Sequence, residues 1–329
     1  MSYTSESKLP NTVKLSQLQE VIELLGYKKI GNPLDIPNQV SSYFWLDENE
    51  YKSWTGVELQ IYRKGGEITV DTRSRVSRSY WDLRHQNKTL KTIRDLFGGH
   101  FTTDAGRNRY YHPDEPPPSL LSSGCYLARW RFHNALIKAR VYLMTRKLEG
   151  DLAKETPSGF LFMDEMNPRL LSNNLLIPFV LAIWEEYFRA TFAAALKYSN
   201  RREPVLKKAR LSHDQLEKIA IEDQPLERTV AECFSFQRPS SISETFKLLD
   251  SRIDLGGAMR KPYKRRKVSL YDSIESLVEG RNAFVHEGRI NVKLYDRELQ
   301  VILDDIVEAV DRAYATIGNH YRFSPIHDY

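Results

Sequence analysis

Apolar residues recur along this chain with two different periods, and the change of period divides it. Near the start, Leu15, Leu18, Val21, Ile22 and Leu25 fall on one face of a short helix that Gly26 ends. Pro33 and Pro37 then break the chain. From Val57 to Tyr62 apolar and polar positions alternate, Gly65-Gly66 supplies a turn and Ile68-Thr69-Val70 returns, which predicts a β-hairpin. A basic segment follows, in which Arg73, Arg75, Arg78, Arg84, Lys88, Lys91 and Arg94 interleave with Tyr80, Trp81, Leu83, Leu90, Ile93 and Leu96. It reads as a helix or helix pair ending at Gly98-Gly99. Residues 102–118 carry Gly106, Pro113 and the run Pro116-Pro117-Pro118, so a loop and an extended connector are expected there.

From 120 to 148 the pattern is continuously helical, with Leu127, Trp130, Phe132, Leu136, Ile137, Val141 and Leu143; Gly150 and Pro157 end it, and 150–173 reads as a boundary loop. Beyond that the period is helical throughout. Residues 177–198 place Val180, Ile183, Trp184, Tyr187, Phe188, Thr191 and Ala195 at helical spacing. Shorter helices are predicted near 212–221, 226–234 and 243–255, with Gly256-Gly257 following the third. A last helix over 295–318 puts Leu299, Ile302, Ile306, Val310, Ala313 and Ile317 on one face, enough to complete a bundle. The fold class is therefore α+β: an N-terminal mixed α/β module over 1–117, a connecting helix and boundary loop over 118–169, and an all-α helical bundle over 170–329.

Composition fits that division. At 329 residues the chain exceeds one small core, and its 41% hydrophobic and 28% charged residues are those of a soluble globular protein. No apolar run approaches the roughly 20 residues of a membrane span and the N-terminus has no signal-like core, so a cytoplasmic protein without membrane contact is expected. Cys125 and Cys233 lie far apart without metal-ligand spacing, which predicts neither a disulfide framework nor a metal site. Net charge is +6 over the first 150 residues and −1 over the rest. Basic and aromatic interleaving around Arg84 is the composition of a surface that tracks a nucleic-acid strand, and equally that of a cationic helix with a buried aromatic face.

The stretch from Leu270 to Gly288 carries the candidate chemistry. Leu270, Ile274, Leu277, Val278, Phe284 and Val285 form an amphipathic stripe, and Arg281 falls on it, four residues after Leu277 and three before Phe284. A guanidinium cannot shed its charge, so the fold must give Arg281 an anionic partner or leave it facing a water-filled cleft. Glu275, Glu279, Asn282 and His286 share a second face. On a regular helix Arg281 and His286 diverge by about 140°, so a common site requires the helix to end or bend near Gly288, or a second subunit. Complementing the helix dipole is the alternative role for these two side chains. It accounts for His286 but not for an Arg on an apolar stripe.

Arg281, Asn282 and His286, set late in a helical domain with a helix before and a long amphipathic helix after, resemble the motif of the HEPN superfamily, over about residues 170–325. The resemblance implies a metal-independent endoribonuclease with Arg281, His286 and Asn282 as catalytic residues, and no cofactor. It implies RNA as the substrate, cleaved by 2′-hydroxyl transesterification to a 2′,3′-cyclic phosphate. It also implies a homodimer whose two motifs face a shared cleft, and a toxin or antiphage, abortive-infection role under an antitoxin or regulatory partner. Glu185, directly after Trp184, matches an acidic residue that in some relatives approaches the Arg; its other reading is a solvated helix flank. The residue types suit the reaction, since an imidazole moves protons near neutral pH and a guanidinium contacts phosphate bidentately.

Shortly before the motif helix lie Arg260, Lys261, Tyr263, Lys264, Arg265, Arg266 and Lys267, six of them basic within eight residues. They are candidate contacts to an RNA backbone, with Tyr263 to stack on a base, against the plainer reading of a solvated charge run. Two other functions compete: a non-catalytic HEPN-like scaffold or regulator that binds a nucleotide or a protein, and a DNA- or RNA-binding regulator driven by the basic N-terminal module.

Overall fold

The structure, a computed structural model, describes residues 2–31, 36–113, 116–148, 157–222 and 224–323. Pro33 and Gly150, two of the expected breaks, lie outside the described residues. The fold is α+β, with strands and two helices first and helices alone after. The chain divides into two units, the first ending at Ser123 and the second beginning at Gly124.

The first unit is a seven-stranded antiparallel sheet. Its strands are β1 (Tyr3–Leu9), β2 (Lys28–Ile30), β3 (Gln39–Trp45), β4 (Val57–Lys64), β5 (Glu67–Ser74), β6 (His100–Thr103) and β7 (Gly106–Arg107), in the order β2-β3-β4-β5-β1-β6-β7. The predicted hairpin is β4–β5, with Val57 opposite Ser74 and the turn at Gly65-Gly66. Two helices, α1 (Leu15–Leu24) and α2 (Tyr80–Phe97), cover one face, where Leu18, Ile22 and Ile93 pack on Leu59, Ile61 and Val70. Each such side chain contributes roughly 1.5–3 kcal/mol on burial.

The sequence pattern missed β1, although it lies inside the sheet, paired with both β5 and β6. Its buried face is Ser5, Ser7 and Leu9, so the alternation that marks a strand is largely absent. Polar bonds replace apolar contact there: Ser5 Oγ lies 2.6 Å from Thr72 Oγ1, and Gln86 of α2 donates to Thr72 Oγ1 and accepts from Ser74 Oγ. The expected loop over 102–118 likewise contains the end of β6 and all of β7. The basic segment is divided, with Arg73 in β5 and the helix starting only at Tyr80. Ser79 sets that start, because its side chain accepts from the Asp82 N–H while Asp82 accepts from the Ser79 N–H.

The second unit contains α3 (Leu120–Leu148), α4 (Leu161–Glu165), α5 (Pro168–Tyr198), α6 (Glu203–Lys208), α7 (His213–Ile221), α8 (Leu226–Glu232), α9 (Pro239–Leu249), α10 (Leu255–Arg260), α11 (Leu270–Glu287) and α12 (Asp296–Tyr321), the first turn of α3 belonging to the first unit. The expected bounds of α3 are those observed. Helix α5, however, begins nine residues before the expected 177, inside the supposed boundary loop. Pro168 occupies its first turn, where a missing N–H costs nothing, and Asn167 caps it. The helix then continues through Pro178 because Ile177, Val180, Leu181 and Trp184 are buried around it. The helix expected over 243–255 is α9, which ends at Leu249, and Gly256-Gly257 belong to a separate short helix. They lie within α10, where a Cβ on Gly256 would sit 2.8 Å from Ser243 Oγ and one on Gly257 would sit 2.0 Å from the Asp254 cap. The core of this unit is aromatic, with Trp184, Phe188 and Phe192 of α5 packed on Phe236 and Phe246.

Two measurements test this account of the first unit. Gly99 has φ +81° and a Cβ there would meet the Lys8 carbonyl of β1 at 2.1 Å, whereas Gly65 in the hairpin turn has nothing nearby. Gly99→Ala should therefore cost more than Gly65→Ala, about 2 kcal/mol or more in chemical denaturation against the roughly 1 kcal/mol of a strained φ alone. His85 is stacked on Trp45 at 3.8 Å, and burial, with Lys88 adding to it, pulls its imidazole down to about 3. The unfolded chain, titrating near about 6.5, binds a proton that the native state refuses between those values. Stability should thus fall as pH drops below that upper value, and His85→Phe should flatten the slope.

Candidate functional site

Helix α11 is capped at one end by Ser269, which accepts from the Asp272 N–H, and at the other by Gly288 in the left-handed region. Leu270, Ile274 and Val278 anchor it, buried against the bundle. Past Val278 the burial stops. Leu277, Arg281 and Phe284 instead line a cleft of about 240 Å³ whose other walls include Ile177 of α5, Ile302 and Ile306 of α12, and Leu294 between α11 and α12. Gly280 also lines it. Glycine costs a helix interior roughly 1 kcal/mol relative to alanine, and a Cβ on Gly280 would meet nothing within 4 Å, so packing does not explain it. Its effect is to leave the mouth open beside Arg281.

Of the two outcomes open to Arg281, the structure shows the cleft. Its Nη1 donates to Asn282 Oδ1 at 2.9 Å, its Nε is buried without a hydrogen-bond partner, and no carboxylate pairs with it among the described residues. Glu185 lies within electrostatic reach but makes its ion contact with Arg189, at 3.8 Å. Burial pushes the Glu185 carboxyl up, and the charges of Arg189 and then Arg281 pull against that rise. On the adjoining face, Glu275 and Glu279 are held by Arg238 at 3.0 and 3.4 Å, and Glu275 also accepts from the Ser240 N–H. His286 is exposed in the last turn and does not line the cleft. One chain therefore brings together Arg281, Asn282 and the field of Glu185, and leaves His286 apart.

The fold divides the basic run. Arg266 pairs through both Nη atoms with Asp305, buried on α12 and itself on the cleft wall, and Arg260 stacks on Tyr271 at 3.5 Å. Tyr263 is ringed by Lys264, Arg266 and Arg312 at 4.9–5.4 Å, so its face is already occupied by cations. Lys264 also approaches Asp304, at 4.0 Å. Lys261, Arg265 and Lys267 are exposed and have no ion-pair partner among the described residues. The turn from Tyr263 to Arg266 holds Lys264 and Arg265 at φ +47° and +54°, an unfavoured conformation for both residues, and directs the chain around Arg266.

The sequence reading did not find Asp305, Gly280 or the polar link that fixes the cleft's far wall. In that link Asn174 of α5 accepts from the Asn291 N–H and donates to the Asn291 carbonyl. An isolated glycine inside the helical pattern was the available signal for Gly280. Among the described residues no group of three or more His, Cys, Asp or Glu side chains is placed to hold a metal ion, and no helix is long and apolar enough to cross a membrane. No family model, curated protein or solved structure matches the chain. The resemblance to the HEPN superfamily thus rests on the Arg281, Asn282 and His286 motif and its helical setting.

Removing either partner of the Arg266–Asp305 pair strands the other group against the bundle. Arg266→Ala should cost roughly 3 kcal/mol in denaturant unfolding, while Lys261→Ala, Arg265→Ala and Lys267→Ala should each stay within about 0.5 kcal/mol. Equal losses in all four would show that the run acts as one structural unit.

Proposed function

We propose that the second unit is a HEPN-like, metal-independent endoribonuclease built around Arg281. The observation that carries this reading is a half-buried guanidinium with an unpartnered Nε, held by Asn282 at the wall of a cleft and, among the described residues, in ion-pair contact with no carboxylate. Such a group is poised for an incoming anion, and its planar donors match the oxygens of a phosphodiester. In the reaction a base removes the 2′-hydroxyl proton, the 2′-oxygen attacks phosphorus, and the bond to the 5′-oxygen breaks as that oxygen takes a proton. The products are a 2′,3′-cyclic phosphate and a 5′-hydroxyl. Arg281 stabilises the charge growing on the phosphoryl oxygens, Asn282 orients the guanidinium, and His286 exchanges protons.

His286 lies off the cleft in one chain, so this reading requires a second copy to complete the site. Exposed apolar side chains on two helices support that requirement. Helices α3 and α5 run antiparallel, with Phe132 near Tyr187 and Arg146 bonded to Asn173. Ile137, Val141 and Met144 on the one and Leu171, Leu175 and Phe179 on the other are exposed. A two-fold axis that paired these side chains would join identical patches. The position of His286 also favours a second reading, a non-catalytic bundle that uses the Arg281 cleft to bind a nucleotide or a protein partner. The biological role that accompanies the first reading is that of a restrained toxin or antiphage effector.

Labelled RNA separates the two readings. Cleavage should persist in EDTA, leave cyclic phosphate ends, and fall at least about a hundredfold in Arg281→Ala and in His286→Ala, with the double variant little worse than either. Mixing excess His286→Ala chains with wild type should lower activity per wild-type chain. Gly280→Ala should raise stability by roughly 1 kcal/mol while slowing cleavage. Full activity in His286→Ala would remove this mechanism, and RNA or nucleotide binding without cleavage by the wild type would support the scaffold.

A further inference from the structure

The first unit contains a cleft of about 600 Å³ that the proposed nuclease chemistry does not use. One side is α2, and the other is the segment from Tyr110 to Pro113 that follows β7. Asn87 fixes that segment to the helix, donating to the Tyr111 carbonyl at 2.6 Å and accepting from the Tyr111 N–H at 3.1 Å. The walls are therefore set by backbone bonds, in the size range of small-ligand sites.

Three polar atoms of residues lining this cleft are buried without partners: Trp81 Nε1, Tyr110 Oη and His85 Nε2. His85 is itself only 9% exposed and stacked on Trp45, which fixes the plane of its ring. All three are closed off from solvent, so the chemistry that the cleft itself presents is that of its ring faces and its cations. All belong to aromatic rings; His85 is already stacked on Trp45, and Tyr110 lies 5.0 Å from Phe101 with Arg94 at 5.6 Å, so a base on Tyr110 uses the other side of its ring. Beside them, Arg84, Lys88 and Lys91 line the same cleft, exposed and without ion partners among the described residues. Spaced four and three apart on one helical face, they extend over about 10 Å, longer than a single phosphate and suited to a chain of them.

We propose that this cleft binds a nucleotide, with its base against Trp81 and Tyr110 and its phosphates along Arg84, Lys88 and Lys91. A planar base meets stacking surfaces, and the anionic end meets the cations. A free nucleoside phosphate and one nucleotide of a single-stranded RNA share that chemistry. The assignment does not depend on the activity proposed for Arg281, which lies in the other unit.

Binding to the intact chain, followed by tryptophan fluorescence and calorimetry, tests it with AMP, ATP, inorganic tripolyphosphate and a short single-stranded RNA. ATP should bind at one per chain and more tightly than AMP or tripolyphosphate. Replacing Arg84, Lys88 and Lys91 together by alanine should weaken ATP on the order of tenfold or more and flatten its salt dependence. These positions are exposed, so the circular dichroism should not change. Trp81→Ala should lose a similar factor and Trp81→Phe much less, while Arg281→Ala should bind as wild type does. If only the RNA binds, and the same substitutions weaken it, the ligand is a strand. Tripolyphosphate binding as tightly as ATP would reduce the cleft to an anion patch. Affinities unmoved by both sets of substitutions, or no binding by any probe, would overturn the proposal.

Discussion

A carboxylate sealed at the start of the last helix must find donors, and Asp296 finds them in two other helices. Arg146 of α3 and Arg169 of α5 reach it at 3.0 and 3.3 Å, and Asn173 of α5 bonds it while also donating to the Leu294 carbonyl. Asn174, one residue on, holds Asn291 through both its backbone groups. The segment joining α11 to α12 is thereby pinned to α5 by groups that each lose several bonds if one is withdrawn. With that wall fixed, α11 can bury Leu270, Ile274 and Val278 but cannot close over its last turns. The Arg281 cleft is the space that remains.

The same accounting sorts the cations. A guanidinium facing a buried carboxylate, as Arg266 faces Asp305, is committed to the fold. One stacked on a ring, as Arg260 is on Tyr271, is committed in part. Of the six basic residues in the run only Lys261, Arg265 and Lys267 are without an ion or ring partner among the described residues, and on α2 Arg84, Lys88 and Lys91 are unpaired while Arg94 contacts Asp95. Density of charge in sequence and availability of charge on the surface are different quantities, and partner geometry separates them.

That distinction also marks what the sequence could reveal. The hairpin, α1, α11 and α12 were legible from their apolar period, and α3 from 29 successive residues without a proline. Strand β1 was not, since a buried row of Ser5 and Ser7 bonded to Thr72 and Gln86 looks like solvent-facing polarity. The early start of α5 was hidden by two prolines that a capped first turn and a well-packed helix tolerate. At the candidate site, the anomaly of Arg281 on an apolar stripe was visible and its consequence, an open cleft, was one of two stated outcomes. Asp305 and Asn174 were invisible because Asn174 acts on the backbone of Asn291, more than a hundred residues on, and Asp305 on Arg266 in the turn before α11.

The helix that creates the puzzle of His286 also constrains its answer. Because α11 remains regular to Glu287 before Gly288 turns the chain, the divergence between Arg281 and His286 is not relieved within one subunit. Local fraying would have to unwind the last turn, releasing the bonds that Gly288 and Arg289 make to the Phe284 and Ala283 carbonyls. A second copy needs no such loss. Helix α5 lends Asn174 and Ile177 to the cleft and carries Leu171, Leu175 and Phe179 exposed, so one helix would connect the proposed pairing surface to the cleft wall. Under that arrangement the distance between two clefts is set by helix packing rather than by loops, the condition a composite site needs if its proton-transfer group is to arrive within hydrogen-bond reach.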